Sequence, residues 1–276
     1  KAIDAVTREF GLVREPELEA IEVSVDFYPK VPTDAARHQM VGVLQRHLLV
    51  PEAPAKAERG LPRMLTQKGS EGAVWLHPDG AFNEDERKRD PRTTEMYIDC
   101  TLQVGEKGVG AGWRVMDKTT DKRTNDDHEP LPAEKRRARV EVTLNKDELR
   151  KKEPGKKGLE LVALNDLDGF RFERLRARYF SFYLPTVSVR GADEPASWFQ
   201  TELDARYVDR FLRLGVMGVR DWERRRYETV KASRKTMARE KRATLPPLRR
   251  RGKTGTFVEY GPLNERIRGA LRSLRW

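Results

Sequence analysis

The chain has 276 residues, of which 37% are hydrophobic, and this is enough for a folded core. Lys and Arg number 55 against 44 Asp and Glu, and the net charge of +11 is unusual for an ordinary metabolic enzyme and predicts a polyanionic partner. No apolar run approaches the roughly 18 residues that a membrane-spanning helix needs, so a membrane partner is not expected.

Cysteine usage predicts a cytoplasmic protein. Cys100 is the only cysteine, which excludes a disulfide framework and a cysteine-based zinc site. Its place on the aliphatic side of a predicted strand favours an inert core thiol. The N-terminal residues include acids and do not resemble a signal peptide.

The first part of the chain predicts a helix, a strand and a second helix. Apolar residues recur at helical spacing in residues 2–15. Residues 21–27 alternate between aliphatic and polar side chains, as a strand with one buried face does, and Asp26 comes near the end of this strand. Thr33 caps a helix over residues 33–49. The predicted apolar side of that helix comprises Ala36, Met40, Val43, Leu44 and Leu48.

Three further strand-like runs follow at residues 95–104, 112–118 and 139–144, with turn-rich sequence between them. We expect these runs to form a mostly antiparallel central sheet. Alternation places Asp99 and Glu141 on the polar sides of their strands. The sequence therefore predicts an α+β fold with flanking helices, in which Asp26, Asp99 and Glu141 share a polar sheet face.

Polar or Pro- and Gly-rich sequence predicts loops at residues 50–72, 83–94, 119–137 and 151–158. Residues 73–80 predict a short hairpin strand that carries His77 before a turn. Aromatic alternation in residues 159–189 predicts further strands that pair with the central sheet.

The remaining chain predicts a helical, basic region over residues 193–276, after an α+β domain over residues 1–192. A long helix starts near Ser197 and is expected to break at Gly215 and Gly218. Asp221 is the predicted cap of a second helix that continues to about residue 241. A short strand at residues 256–260 and a final helix from Asn264 complete the chain.

Positive charge is concentrated in this last region. Residues 206–276 contain 21 Lys and Arg against 7 Asp and Glu, while the preceding residues contain 34 against 37. Clustered cations on helices neutralise phosphates and release counterions, and a solvated helix face is the alternative explanation. The scarcity of acids in residues 231–255 favours single- or double-stranded DNA, with RNA as a further option. The predicted contact residues are Arg224, Arg225, Arg226, Lys231, Arg234, Lys235, Arg239, Lys241, Arg242, Arg249, Arg250 and Arg251.

Two short segments flank the polar insert after the second of the three strand-like runs: Arg114-Val115-Met116-Asp117-Lys118 and Arg139-Val140-Glu141-Val142. Over roughly residues 95–150 they resemble the paired motifs of rolling-circle replication initiators and conjugative relaxases, a family that includes filamentous-phage and plasmid replication proteins. Members commonly carry a Gly-Ser-containing strand, an Arg-x-Tyr-Asp/Glu-Lys segment and an Arg-x-Glu strand in this order. The resemblance implies a protein that binds DNA and nicks one strand through a metal-assisted tyrosine.

This chain departs from the family pattern at two places. Met116 stands where the family has tyrosine, and residues 104–108 replace the Gly-Ser element. Two hypotheses therefore stay open: a nicking endonuclease, or a non-catalytic DNA-binding protein with the same fold. In either case a homodimer is possible.

A metal-dependent nicking enzyme needs acids or histidines that converge on Mg²⁺ or Mn²⁺. The candidate ligands are Asp26, His77, Asp79, Asp99 and Glu141, with Glu141 also a candidate catalytic acid. Each strand acid is explained equally well by a salt bridge with Arg114 or Arg139.

A tyrosine nucleophile would form a phosphotyrosyl link to the cleaved strand. The candidates are Tyr179, Tyr183, Tyr207 and Tyr227. Tyr179 and Tyr183 stand in an aromatic run that is typical of a core or of a base-stacking surface. Tyr207 lies beside Arg206 and Arg210, a setting that favours phosphate.

Overall fold

A computed structural model describes residues 9, 11, 15–51, 63–66, 100–105, 108–124, 127–151, 158–185, 198–240 and 257–274. Within these ranges the fold is α+β, as the sequence predicts. The strands are β1 (Ala20–Phe27), β2 (Arg63–Thr66), β3 (Cys100–Val104), β4 (Ala111–Lys118), β5 (Thr120–Thr124), β6 (Asp127–Pro130), β7 (Arg137–Asn145), β8 (Tyr183–Pro185) and β9 (Phe257–Glu259). The α-helices are α1 (Asp34–His47), α2 (Lys146–Leu149), α3 (Arg176–Tyr179), α4 (Trp198–Glu240) and α5 (Gly261–Ser273).

A five-stranded sheet in the order β1-β7-β4-β3-β2 forms the centre, and every neighbouring pair is antiparallel. The predicted antiparallel central sheet is confirmed. The edge strand β2 lies in residues 50–72, which the sequence predicts as a loop. The strand was missed because it has only four residues, too few for alternation to be recognised between Pro- and Gly-rich stretches. Among the described residues, no helix combines the length and apolar composition that crossing a bilayer requires.

Helix α1 packs on the core side of the sheet with a different face from the one predicted. Thr33 Oγ1 accepts a hydrogen bond from the Ala36 amide at 3.2 Å, which confirms the predicted cap. Val43 is exposed, and the buried side is rotated to Arg37, Val41, Leu44, Gln45 and Leu48. The rotation follows from a buried ion pair, because the Arg37 guanidinium binds the Asp117 carboxylate of β4.

The core lies between this side of the sheet and the helices. Trp113 of β4 is almost fully buried, and its Nε1 donates a hydrogen bond to the Tyr179 carbonyl oxygen at 2.7 Å. Helix α5 closes the same core with Ile267 and Leu271, which are fully buried. Residues 257–274, although assigned by the sequence to the basic C-terminal region, therefore pack against the α+β body.

Two predicted loop or strand segments differ from the structure. In the described part of residues 119–137, β5 pairs with β6 and Ala133–Lys135 form a short 3-10 turn, where the sequence predicts a loop. The hairpin is polar, so hydrophobic alternation does not reveal it. In the described part of residues 159–189, up to residue 185, one further strand is present, β8, but it pairs with β9 and not with the central sheet, while Leu164–Leu167 and Phe172–Leu175 are 3-10 turns.

Helix α4 is kinked at Gly215, as predicted, while Gly218 stays helical. Gly215 has φ of 63°, in the left-handed region, and a Cβ at this position would lie 2.6 Å from the carbonyl oxygen of Arg46 in α1. Arg46 Nε donates to the Leu212 carbonyl oxygen at 2.8 Å just before the kink. Asp221 lies inside the helix beyond the kink, so its predicted role as a cap is wrong.

The predictions for residues 2–8, 73–80, 83–94 and 95–99 fall outside the described residues.

We expect Gly215→Ala to lower the free energy of unfolding by at least about 1–2 kcal/mol, the cost of left-handed backbone at a residue with a Cβ. The contact with the Arg46 backbone adds to this cost. Urea unfolding followed by circular dichroism measures it. Gly269→Ala in α5 is the control, because no atom lies within 4 Å of its added Cβ, and we expect it to stabilise the protein by about 0.5–1 kcal/mol. Equal stability of Gly215→Ala and the wild type would contradict the role of the kink.

Candidate functional site

The sheet face that points away from α1 carries the predicted acids. The strand register sets Asp26 of β1 opposite Arg139 of β7, and Ser24 opposite Glu141. On the other side of β7, Arg114 of β4 lies opposite Glu141. The expected sharing of one polar face by Asp26 and Glu141 is therefore confirmed, while Asp99 lies outside the described residues.

Glu141 is a buried acid with an arginine partner. Only 4% of this residue is exposed, and Arg114 Nη2 binds its Oε1 in an ion pair. The same Arg114 nitrogen lies 2.9 Å from Oε2 of Glu22 on β1. One guanidinium thus compensates two carboxylates that lie on either side of it.

Asp26 is held by two arginines of β7. Arg139 donates from Nε at 2.6 Å to one carboxylate oxygen and from Nη2 at 2.8 Å to the other, and Arg137 Nε donates at 2.9 Å. Burial alone would raise the pKa of Asp26, but the hydrogen bonds and charges of Arg139 and Arg137 outweigh it and lower the pKa. The carboxylate is held as an anion with both oxygens occupied.

These contacts agree with the salt-bridge explanation for Asp26 and Glu141. Among the described residues, no cluster of three or more His, Cys, Asp and Glu is placed to hold a metal ion. A divalent cation at Asp26 or Glu141 would have to displace an arginine from each carboxylate. His77 and Asp99, the other candidate ligands for Mg²⁺ or Mn²⁺, lie outside the described residues, as does Asp79.

Of the four candidate tyrosines, Tyr179 and Tyr207 are buried, and Tyr183 and Tyr227 are half-buried. Tyr179 is 2% exposed, its hydroxyl donates to Glu148 Oε1 at 2.8 Å, and its ring packs near Trp113. Because Trp113 points to the core side of β4, Tyr179 lies across the sheet from Glu141. Tyr207 is 7% exposed in α4, and Tyr183 is half-buried in β8.

His47 was not singled out by its sequence, yet it joins α1 to the base of α4. Its Nδ1 lies 2.7 Å from the Tyr183 carbonyl oxygen, and its ring lies 5.2 Å from the Phe211 ring and 5.1 Å from the Tyr260 ring. Burial lowers the pKa of His47 and favours its neutral form. A single histidine in a helix gives no signal of such a junction.

Several predicted contact residues have acidic partners. Asp221, a buried residue of α4, forms ion pairs with Arg224 and, at 2.7 Å, with Arg225. Lys231 Nζ lies 3.9 Å from Glu228, and both side chains are exposed. Arg226, Arg234, Lys235 and Arg239 belong to α4, but their side chains lie outside the described part of the chain, as do the whole residues Lys241, Arg242, Arg249, Arg250 and Arg251.

Comparison of this chain with protein-family models, with curated proteins and with solved structures gives no match. The resemblance to rolling-circle initiators and relaxases rests on the two motif segments. The structure places these segments in the neighbouring strands β4 and β7, with Arg114 opposite Glu141 and Met116 opposite Arg139.

We expect Asp26→Asn to change the acid dependence of stability. The pKa of Asp26 is lowered in the folded state, so the unfolded state binds the proton more readily and folding loses stability as the pH falls below about 4. The variant lacks this contribution. It should be less stable by about 1–3 kcal/mol at pH 7, with a shallower loss of stability on acidification.

Urea unfolding between pH 3 and pH 7 measures this difference. Asp168→Asn, at an exposed position after a 3-10 turn, is the matched control and should follow the wild-type curve. Parallel pH curves for Asp26→Asn and the wild type would show that the two arginines do not stabilise the Asp26 carboxylate.

Proposed function

We propose that this protein binds DNA through the cations of its C-terminal region and that its sheet is a scaffold. The observation that carries the proposal is the uneven charge: 21 Lys and Arg against 7 Asp and Glu in residues 206–276, and 34 against 37 in the rest of the chain. Such a surplus on one part of a chain is typical of proteins that neutralise phosphates.

The ion pairs of the sheet support this division of labour. On the polar face, Arg114 forms ion pairs with both Glu22 and Glu141, and Asp26 forms ion pairs with both Arg137 and Arg139. Three arginines thus face three acids, and this face offers no surplus of positive charge among these residues. The surplus of positive charge lies instead in residues 206–276, where Lys and Arg outnumber Asp and Glu by 21 to 7. A DNA-binding role and the single cysteine both favour a cytoplasmic protein.

Of the two hypotheses from the family resemblance, the contacts favour the non-catalytic one. Met116 lies on the polar side of β4, opposite Arg139, where the family tyrosine would offer a hydroxyl. A thioether does not act as the nucleophile in strand transfer. Asp26 and Glu141 are engaged by arginines and do not present a metal site.

Strand nicking is a second candidate, favoured by one observation. The two motif segments lie side by side, with Arg114 directly opposite Glu141. In this alternative, Glu141 and Asp26, with Asp99 and His77, would be the metal-site residues. The nucleophile would be Tyr183, Tyr207 or Tyr179.

We expect the full chain to bind a labelled 20-base-pair duplex with an affinity that falls steeply as salt rises. Each phosphate neutralised contributes a slope of about −0.9 to the logarithm of affinity against the logarithm of salt concentration. Fluorescence anisotropy at several salt concentrations measures the slope. An acidic peptide of matched charge is the control for a general polyanion effect. Absent binding at low salt, or binding that salt does not weaken, would overturn the proposal.

The non-catalytic proposal predicts neither a nick nor a covalent adduct when the protein is incubated with supercoiled and single-stranded DNA in Mg²⁺ or Mn²⁺. Gel mobility of the DNA and denaturing electrophoresis of the protein report the two products. Nicking with a covalent adduct that Tyr183→Phe or Tyr207→Phe abolishes would establish the second candidate instead, provided that Glu141→Gln removes the stimulation by metal.

A further inference from the structure

Residues 228–233 of α4 are exposed on every side of the helix. All six residues from Glu228 to Ser233 are exposed, and so is Thr236. Successive residues of an α-helix lie about 100° apart around the axis, so six consecutive exposed residues cover the whole circumference. The residues just after the kink, Val216, Met217 and Val219, are buried instead. We call residues 228–240 of α4 the arm.

By their spacing, cations form a stripe along this helix. Arg220, Arg224, Lys231 and Lys235 fall within about 60° of the circumference at 100° per residue. The stripe extends for about 22 Å at 1.5 Å per residue. Lys231 is 3.9 Å from Glu228 with both side chains more than half exposed, and such surface pairs are weak. Lys231 can therefore exchange Glu228 for a phosphate at little cost.

The base of the arm is held by the body. The Arg46 backbone lies so close to Gly215 that a Cβ there would clash with it, and Arg46 Nε donates to the Leu212 carbonyl oxygen at 2.8 Å. The His47 ring packs against Phe211 one turn earlier. A helix with a buried base and an exposed end presents its stripe in a direction that the body sets.

We propose that the arm is the element that contacts DNA and that its target is the duplex. This inference rests on the proposed function. A helix is about 10–12 Å wide, and the major groove of B-DNA is about 12 Å wide, so the arm fits the groove with its stripe toward a phosphate chain. Single strands are bound by aromatic side chains on which bases stack. The described side chains of the arm, residues 228–233 and 236, include no aromatic ring, and Tyr227, which lies along the stripe just before the arm, is half-buried and engaged within the protein.

The direct test is Ala232→Pro in the full chain. Proline breaks the hydrogen-bonding pattern of a helix interior but leaves every charge in place. Because Ala232 is exposed in the arm, the melting temperature of the body should stay at the wild-type value. We expect the affinity for a 20-base-pair duplex to fall at least tenfold. Ala232→Ser, which keeps the helix, is the matched control and should bind as the wild type does.

Charge variants provide the second test. Lys231→Gln should reduce the magnitude of the salt slope for duplex binding by about one, as the loss of one phosphate contact does. Arg266→Gln on α5 removes the same charge from another exposed position and should leave the slope unchanged.

The outcomes separate this inference from the proposed function. Duplex binding by the wild type that Ala232→Pro and Lys231→Gln leave unaltered would overturn the arm as the contact and leave DNA binding intact. Tighter binding of the wild type to the single strand than to the duplex would overturn the duplex as the target. No binding of the wild type to either DNA would overturn the proposed function and the inference with it.

Discussion

The ion pair between Arg37 and Asp117 holds α1 against the sheet, and the other contacts of α1 depend on it. Both residues are at most 5% exposed, and Asp117 also lies 3.2 Å from His38 Nε2. Arg37 Nη1 donates to Asp34 at 2.8 Å, which occupies a second nitrogen of the guanidinium. Removing one partner from such a buried pair leaves an uncompensated charge, at a cost of roughly 3–5 kcal/mol. A charged contact therefore decides which side of α1 faces the core.

The end of α1 transmits this placement to the long helix. Arg46 and His47 are the last two residues of α1, and both lie against α4. Arg46 donates a hydrogen bond to Leu212 and its backbone lies next to Gly215, while the His47 ring packs against Phe211. Gly215 allows α4 to turn at this contact because it has no side chain to strike the Arg46 backbone. The sheet thus determines the direction of the basic helix through α1. On the polar face of the sheet, Arg114, Arg137 and Arg139 form ion pairs with Glu22, Glu141 and Asp26.

Much of the sheet was predictable because one face is buried and one is polar. Strands β1 and β7 alternate strictly, so both their positions and the shared face of Asp26 and Glu141 follow from the sequence, whereas β4 departs from alternation at Met116 and Asp117. Alternation does not distinguish a salt bridge from a metal site, because either one requires the acids Asp26 and Glu141 on the same polar face. The rotated face of α1 was missed because Arg37 occupies a core position, and an arginine there is recognisable only once Asp117 is placed opposite it. Residues 164–182 were mistaken for strand because the aromatic side chains Tyr179, Phe180 and Phe182 are buried in and just after a helical turn, where aromatic spacing resembles that of a strand.

We propose that α4 contacts DNA and that the sheet is its scaffold. Hydrogen exchange of the full chain, with and without duplex DNA, is the most direct test of this proposal. It predicts slower exchange of backbone amides in residues 228–240 when DNA is bound, with β1, β4 and β7 unchanged. Slower exchange in these strands, with residues 228–240 unaffected, would contradict it, because the polar face of the sheet would then be the surface that meets DNA.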